Sequence, residues 1–232
     1  MDNFQLIILC GGLASRIIKL TKKTPKSLLK FKKHPFIFYQ LQWAKKNKIK
    51  NIILLTGHLD FEIKNYIKKN FKELNVFCIR DGKKLRGTGG AILNAKKYLK
   101  NKFMVINGDT YPMINIKNLI NHYFDNKELS TVVIKKNNKK HLQSNIKIKN
   151  RYINFYEKEE TNDSKYIDYG IQLFNKKDLI KTFKKKYYLS MDKIYLKLIE
   201  NKKLIYYKTN KNFFEIGSYK GIKEFKNYLS KK

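Results

Sequence analysis

The 232-residue chain predicts an α/β fold with a mainly parallel sheet, on three observations. Short apolar runs recur along its first half: Phe4–Cys10 (FQLIILC), Asn51–Thr56 (NIILLT), Asn75–Ile79 (NVFCI) and Phe103–Ile106 (FMVI). Unbroken runs of this length read as strands buried on both faces, the habit of parallel sheets. Amphipathic stretches of helical length lie between them, and strand–loop–helix units at this spacing imply right-handed crossovers. Turn signals also close several of the runs: Gly11-Gly12, Gly57 and Asn107-Gly108-Asp109. In open sheets of this kind, ligands bind beyond the carboxyl ends of the strands. Function is therefore expected in those turns.

After the first run, Gly11-Gly12-Leu13-Ala14-Ser15-Arg16 lets the backbone turn sharply and approach a ligand. Exposed amides in such a turn suit phosphate oxygens. Arg16 adds a fixed charge with a planar donor fork. Lys26 offers a second cation, on a segment that Pro25 stiffens. A plain β-turn with two of many cations nearby accounts for the same residues, so this stretch alone is weak evidence. A helix starts over Pro35–Trp43, with Pro35 near its first turn. Asp60 is expected to cap an amphipathic helix over Phe61–Phe71 that carries Phe61, Ile63, Tyr66 and Ile67. Arg86–Gly90 reads as a glycine-rich loop before a helix that continues to about Leu99.

The second half changes rhythm. Thr131–Lys135, Asn145–Lys149, Tyr152–Glu157, Tyr166–Phe174 and Leu204–Lys208 read as strands with short connections. Helices are expected over Lys176–Phe183, Asp192–Glu200 and Tyr219–Leu229. No Pro/Ser/Gly-rich linker separates the halves, so residues 1–232 read as a single domain whose rhythm changes at about residue 130.

The net charge of +34 invites a nucleic-acid reading. Two details weaken it. Of the 52 basic residues, arginine contributes only Arg16, Arg80, Arg86 and Arg151, although arginine is the preferred reader of phosphates and guanine edges. The lysines also spread through nearly every segment, with lesser clusters at Lys135–Lys140 and Lys184–Lys186. Surface solvation is their main expected role. Cys10 and Cys78 lie in apolar, strand-like runs without a CxxC partner, as buried thiols of a reducing cytoplasm do. His34, His58, His122 and His141 show no metal-ligand spacing. No run approaches about 20 apolar residues, and the start, with Asp2, lacks a secretory pattern. A cytoplasmic location is expected.

Several motifs occur in one order: GGLASR with TPKSLL, GTGGAI at Gly87–Ile92, NGDT at Asn107–Thr110, then FYEKE and FFEIGS. Together they resemble the sugar-1-phosphate nucleotidyltransferase family, also called NDP-sugar pyrophosphorylases, over nearly the whole chain. The resemblance implies a Rossmann-like three-layer α/β/α fold with a mainly parallel mixed sheet, of the glycosyltransferase-A-like nucleotidyltransferase kind. It implies that an NTP and a sugar 1-phosphate give an NDP-sugar and pyrophosphate with Mg2+, for surface-polysaccharide or cell-envelope precursors. The first half, to about residue 130, would bind nucleotide and the second sugar phosphate. No specific nucleic acid and no membrane span are implied, and a homodimer is allowed.

By the same resemblance, Arg16 would hold the departing phosphates and Lys26 the α-phosphoryl oxygens. Leu9, Gly11, Gly12, Gly87 and Thr88 would contact the nucleoside. Asp109 would bind Mg2+, with Glu215 where the family usually has aspartate. Asn107, Glu157, Lys158, Asp168 and Gly170 would meet the sugar phosphate. The family pattern has a glycine at position 14. Alanine resists a positive φ, so the loop is expected to be right-handed or extended there, or to hold phosphates slightly differently. Two other functions compete: a cytidylyltransferase acting on phosphocholine or another small phosphate, and a basic nucleic-acid-binding protein.

Overall fold

The computed structural model describes residues 4–137, 144–156, 164–183 and 187–231. In chain order the elements are β1 (Gln5–Leu9), α1 (Ile18–Thr21), β2 (Lys30–Phe31), β3 (His34–Pro35), α2 (Phe36–Lys46), β4 (Asn51–Thr56) and α3 (Asp60–Asn70). There follow β5 (Asn75–Arg80), α4 (Gly87–Asn94), β6 (Lys102–Asn107), β7 (Thr110–Pro112), α5 (Ile116–Asp125), β8 (Ser130–Lys136) and β9 (Ile146–Lys149). The last are β10 (Tyr152–Tyr156), β11 (Tyr166–Asn175), α6 (Lys176–Thr182), α7 (Met191–Glu200), β12 (Leu204–Lys208), β13 (Phe213–Glu215) and α8 (Tyr219–Ser230). The α/β class expected from the sequence is the one observed. The described residues form two compact units.

The first unit comprises the described residues within Met1–Leu85, Ile106–Pro112 and Phe213–Lys232. Here β4 pairs in parallel with β1 on one side and β5 on the other, Leu6 lying opposite Ile52 and Ile52 opposite Val76. The runs of β1 and β4 bury as parallel strands should, Leu6, Ile7, Ile8, Ile52 and Leu54 having no exposed surface, whereas the β5 run at the sheet edge does not, and its Phe77 is 57% exposed. In α2, Phe36, Ile37, Leu41 and Ala44 are buried on one stripe, and Gln40 is buried among them. Phe225 of α8 stacks edge-on against Phe31 and Phe36, with ring centroids 5.0 and 5.1 Å away. Such aromatic pairs add about 0.5–1.5 kcal/mol each beyond area burial, and they tie α8 to α2.

The second unit comprises the described residues within Arg86–Val105 and Met113–Asn212. Its strands run in the order β6-β11-β8-β12-β10-β9. The pair β8–β12 is parallel, whereas β11–β8, β10–β12 and β10–β9 are antiparallel, so this part is mixed. The register of β11 on β8 shifts between Asp168 and Gln172, at a bulge containing Gly170 with φ +83°.

Three local expectations are corrected. Asp60 is not a cap: Leu59, with φ 57°, holds that position, and Asp60 is the first helical residue. Its carboxylate accepts from the Thr56 hydroxyl and pairs with Lys64 at 2.8 Å. Phe61 points to solvent, 71% exposed, so the buried face of α3 is Ile63 and Ile67. Finally, Gly87–Gly90 are not a loop but the first turn of α4, which ends at Asn94. Among the described residues, no helix is long and apolar enough to cross a membrane.

Candidate functional site

The turn Asn107-Gly108-Asp109 joins β6 to β7 and is held by its backbone. The Gly108 amide donates to the Leu9 carbonyl at the end of β1 (3.1 Å), and the Ile216 amide donates to the Asp109 carbonyl (3.0 Å). Thr110 is opposite Glu215 in the antiparallel pair β7–β13. The two acidic residues predicted as metal ligands are thus brought together by a two-stranded ribbon.

Lys26 opens a short 3-10 turn, Lys26–Leu28, behind extended Pro25. Its ammonium sits 2.6 Å from Asp109 Oδ2, and both side chains keep only about a fifth of their surface exposed. Burial pushes the Asp109 carboxyl up, but the charge and hydrogen bond of Lys26, the charge of Arg16 and a backbone hydrogen bond together hold it below the usual carboxylate range. Asp109 is therefore ionised at neutral pH. Arg16 lies in the 3-10 turn Ser15–Ile17, which follows Ala14. Ala14 adopts φ 53°, ψ 42°, so the loop keeps the left-handed turn that the substitution was expected to remove. This costs roughly 1–2 kcal/mol for a non-glycine residue. The Ala14 methyl packs against the cluster containing Ile17, Phe31 and Phe225, a contact that glycine lacks.

Gly217 marks where these groups converge. A methyl built on it would lie 2.9 Å from Arg16 Nη2, 2.9 Å from Asp109 Oδ2 and 3.1 Å from Glu215 Oε2. Two carboxylates and a guanidinium therefore meet around one point that only a glycine leaves clear. Glu215 is also engaged at the start of α8. Its Oε2 accepts from the Gly217 amide (2.6 Å), and its Oε1 accepts from the Ser218 hydroxyl. Ser218 in turn caps the helix by accepting from the Gly221 amide (3.0 Å). The helix-start contacts and the approach to Asp109 thus belong to the same carboxylate.

The other predicted residues of the first unit line the end of β1. Leu9 is half-buried, Gly11 is half-buried and Gly12 is exposed, and the Cys10 amide donates to the Leu55 carbonyl (2.7 Å). Burial pushes the Cys10 thiol up to about 12, so it is no nucleophile at neutral pH. Gln40 was not singled out in the sequence. It is 1% exposed and donates to the Asn107 and Thr110 carbonyls, bracketing Asp109.

In the second unit, the glycine-rich turn meets its own chain. Gly87 has φ +71°, and a methyl there would lie 2.7 Å from the Leu189 carbonyl oxygen. The Gly90 amide donates to that carbonyl (2.8 Å), and the Thr88 hydroxyl accepts from the Met191 amide (2.8 Å) at the start of α7. Asp168 is held at the β11 bulge by the Gly170 amide (2.7 Å) and the Tyr195 hydroxyl (2.7 Å). Burial raises the Asp168 carboxyl above its ordinary value, against those hydrogen bonds. Helix α7 therefore reaches Thr88 through Met191 and Asp168 through Tyr195. Glu157 and Lys158 lie outside the described residues.

Among the described residues there is no group of three or more His, Cys, Asp or Glu suited to a metal ion. The pair Asp109 and Glu215 nonetheless fits magnesium, which takes one or two carboxylates and completes its shell with phosphate and water.

Residues 5–232 match the family described as nucleotidyl transferase. The chain is 36% identical over 115 residues to the D-glycero-alpha-D-manno-heptose 1-phosphate guanylyltransferase of Campylobacter jejuni, covering 50% of this chain and 52% of that protein. It is 28% identical over 132 residues to the protein of the same name from Aneurinibacillus thermoaerophilus, covering 56% and 57%. The chain thus spans about half the length of these curated relatives. The fold is that of HddC from Yersinia pseudotuberculosis, solved with GMP-PN, at a TM-score of 0.81 over 97% of this chain and 99% of the other, with 23% identity.

Proposed function

Because the chain belongs to the nucleotidyl transferase family, we propose that it joins a nucleoside triphosphate to a sugar 1-phosphate, giving an NDP-sugar and pyrophosphate. The observation that carries this reading is the meeting of Arg16, Asp109 and Glu215 beside Gly217, with Lys26 on Asp109. A sugar-phosphate oxygen attacks the α-phosphorus, and the bond from that phosphorus to the bridging oxygen of pyrophosphate breaks. Two anions must approach in line, so positioned cations carry most of the work. Arg16 takes the departing β- and γ-phosphates and Lys26 the α-phosphoryl oxygens. Leu9, Gly11, Gly12, Gly87 and Thr88 contact the nucleoside, largely through backbone atoms. Asp168 and Gly170, with Asn107, Glu157 and Lys158, are assigned to the sugar phosphate. Asp109 and Glu215 would hold Mg2+, which supplies charge neutralisation on the phosphates when bound. On this reading the first half, to about residue 130, would serve the nucleotide and the second the sugar phosphate.

The names of the two heptose 1-phosphate guanylyltransferases make GTP with D-glycero-α-D-manno-heptose 1-phosphate the first pair to assay. The test is pyrophosphate release from each NTP against hexose, heptose and amino-sugar 1-phosphates, with CTP and phosphocholine as a further arm. Release with one NTP and one sugar 1-phosphate is expected. Release with CTP and phosphocholine alone, or with no pair, would overturn the reading.

A prediction separates the two engagements of Glu215. Glutamine leaves one acceptor where the carboxylate had two, so the Gly217 amide or the Ser218 hydroxyl loses its partner, at about 1–3 kcal/mol. Glu215→Gln is therefore expected to melt earlier without metal and also to need more Mg2+ for half-maximal rate. An earlier melt with an unchanged Mg2+ requirement would leave Glu215 as a helix-start acid only.

A further inference from the structure

We propose that Gln40 is a positioning residue for Asp109, setting the place of the carboxylate that serves the metal; this rests on the function proposed above. Gln40 projects from the buried stripe of α2 and is 1% exposed. Its Nε2 donates to the Asn107 carbonyl (3.1 Å) and to the Thr110 carbonyl (2.8 Å). These two acceptors stand on either side of Gly108-Asp109, so one amide group spans the turn that presents the carboxylate. The reverse amide orientation would set an oxygen against both carbonyls, so the acceptors themselves fix the assignment.

Two further ties on this turn join main-chain atoms, Gly108 to the Leu9 carbonyl and Ile216 to the Asp109 carbonyl, and Lys26 holds the Asp109 carboxylate itself. The two backbone bonds hold the turn against β1 and the residue after β13 whatever the side chains are. Gln40 adds a restraint on the backbone from α2. Its Oε1 is buried and has no hydrogen-bond partner among the described residues. An unpartnered buried amide oxygen is destabilising, so filling space does not explain a glutamine here. Its two N–H groups do.

Groups that orient a metal ligand typically affect metal affinity or activity by about 10- to 100-fold. The test titrates Mn2+ alone into the full chain by electron paramagnetic resonance, without nucleotide. Gln40→Met keeps the length and apolar volume, and Gln40→Glu keeps the shape but removes both donors. Both are expected to weaken Mn2+ binding by about 10- to 100-fold, with Asp109→Asn removing it. Wild-type Mn2+ affinity in both Gln40 variants, with loss in Asp109→Asn, would overturn the positioning role and leave the metal reading standing.

If the wild-type chain and Asp109→Asn both fail to bind Mn2+, the metal reading fails, and a double-mutant cycle on turnover decides the role of Gln40. A Gln40→Met loss that disappears in the Asp109→Asn background supports positioning, and a loss that persists in full overturns it. Melting temperature without metal is measured in parallel. A merely structural glutamine would lower it while leaving Mn2+ affinity and the cycle unmoved.

Discussion

Asp109→Asn is expected to remove most activity, about 10²-fold or more in turnover, while the chain stays folded. The change keeps shape and removes charge. Asp109 sits where burial opposes ionisation, and Lys26 and Arg16 hold it ionised nonetheless. An amide there cannot serve a hard cation in the same way. The backbone ties of the turn do not involve the side chain, so Gly108 and Ile216 keep their hydrogen bonds. The measurement is rate against Mg2+ concentration, with circular dichroism to confirm folding. Undiminished turnover at limiting Mg2+ would reduce Asp109 to a turn residue.

Arg16→Ala and Lys26→Ala are each expected to lower turnover by about 10²-fold or more, the usual loss when a preorganised charge stabiliser is removed. The two should differ in their side effects. Arg16 is exposed, so its loss should leave stability nearly unchanged. Lys26→Ala also strips the part-buried Asp109 of its ion-pair partner at 2.6 Å. Its carboxyl pKa should then rise, because burial is no longer offset by the nearest cation. The stability that an ionised Asp109 contributes is present above the unfolded carboxyl pKa and lost as pH falls through the folded one. Lys26→Ala should therefore narrow that acid range, which melting curves between about pH 3 and 7 would show. Near wild-type rates in both folded variants would refute the phosphate-holding roles.

Much of the fold was legible because buried strands leave an apolar signature. NIILLT is β4 residue for residue, and YIDYGIQLF is β11 less its final Asn175. Helix α5 went unread although Ile116, Leu119, Ile120 and Tyr123 follow helical spacing and Asn115 caps it, accepting from the Asn118 amide (3.2 Å). Gly87–Gly90 looked like a loop because glycine disfavours helix interiors. The competing effect is the close approach of Leu189, which leaves no room for a side chain at Gly87, Gly89 or Gly90.

The acidic and basic candidates could be named from motif order, but not their contacts. Lys26 and Asp109 are 83 positions apart, and nothing local announces their pairing. Gln40 was less visible still. A glutamine between Tyr39 and Leu41 looks like any polar residue on a helix, and its partners lie 67 and 70 positions away. Long-range polar contacts of this kind have no periodicity to betray them.

The Lys26–Asp109 ion pair has a thermodynamic consequence. The ammonium occupies Oδ2, an oxygen that a metal ion would use on the proposed roles, so the protein carries its own competitor for that site. A nucleotide that draws Lys26 onto its phosphate removes the competitor, and a metal on Asp109 frees Lys26 for phosphate. Each ligand thereby lowers the free energy of binding the other, and linkage makes the two effects equal. Metal and nucleotide should bind cooperatively even though no element of the fold has to move beyond one lysine side chain.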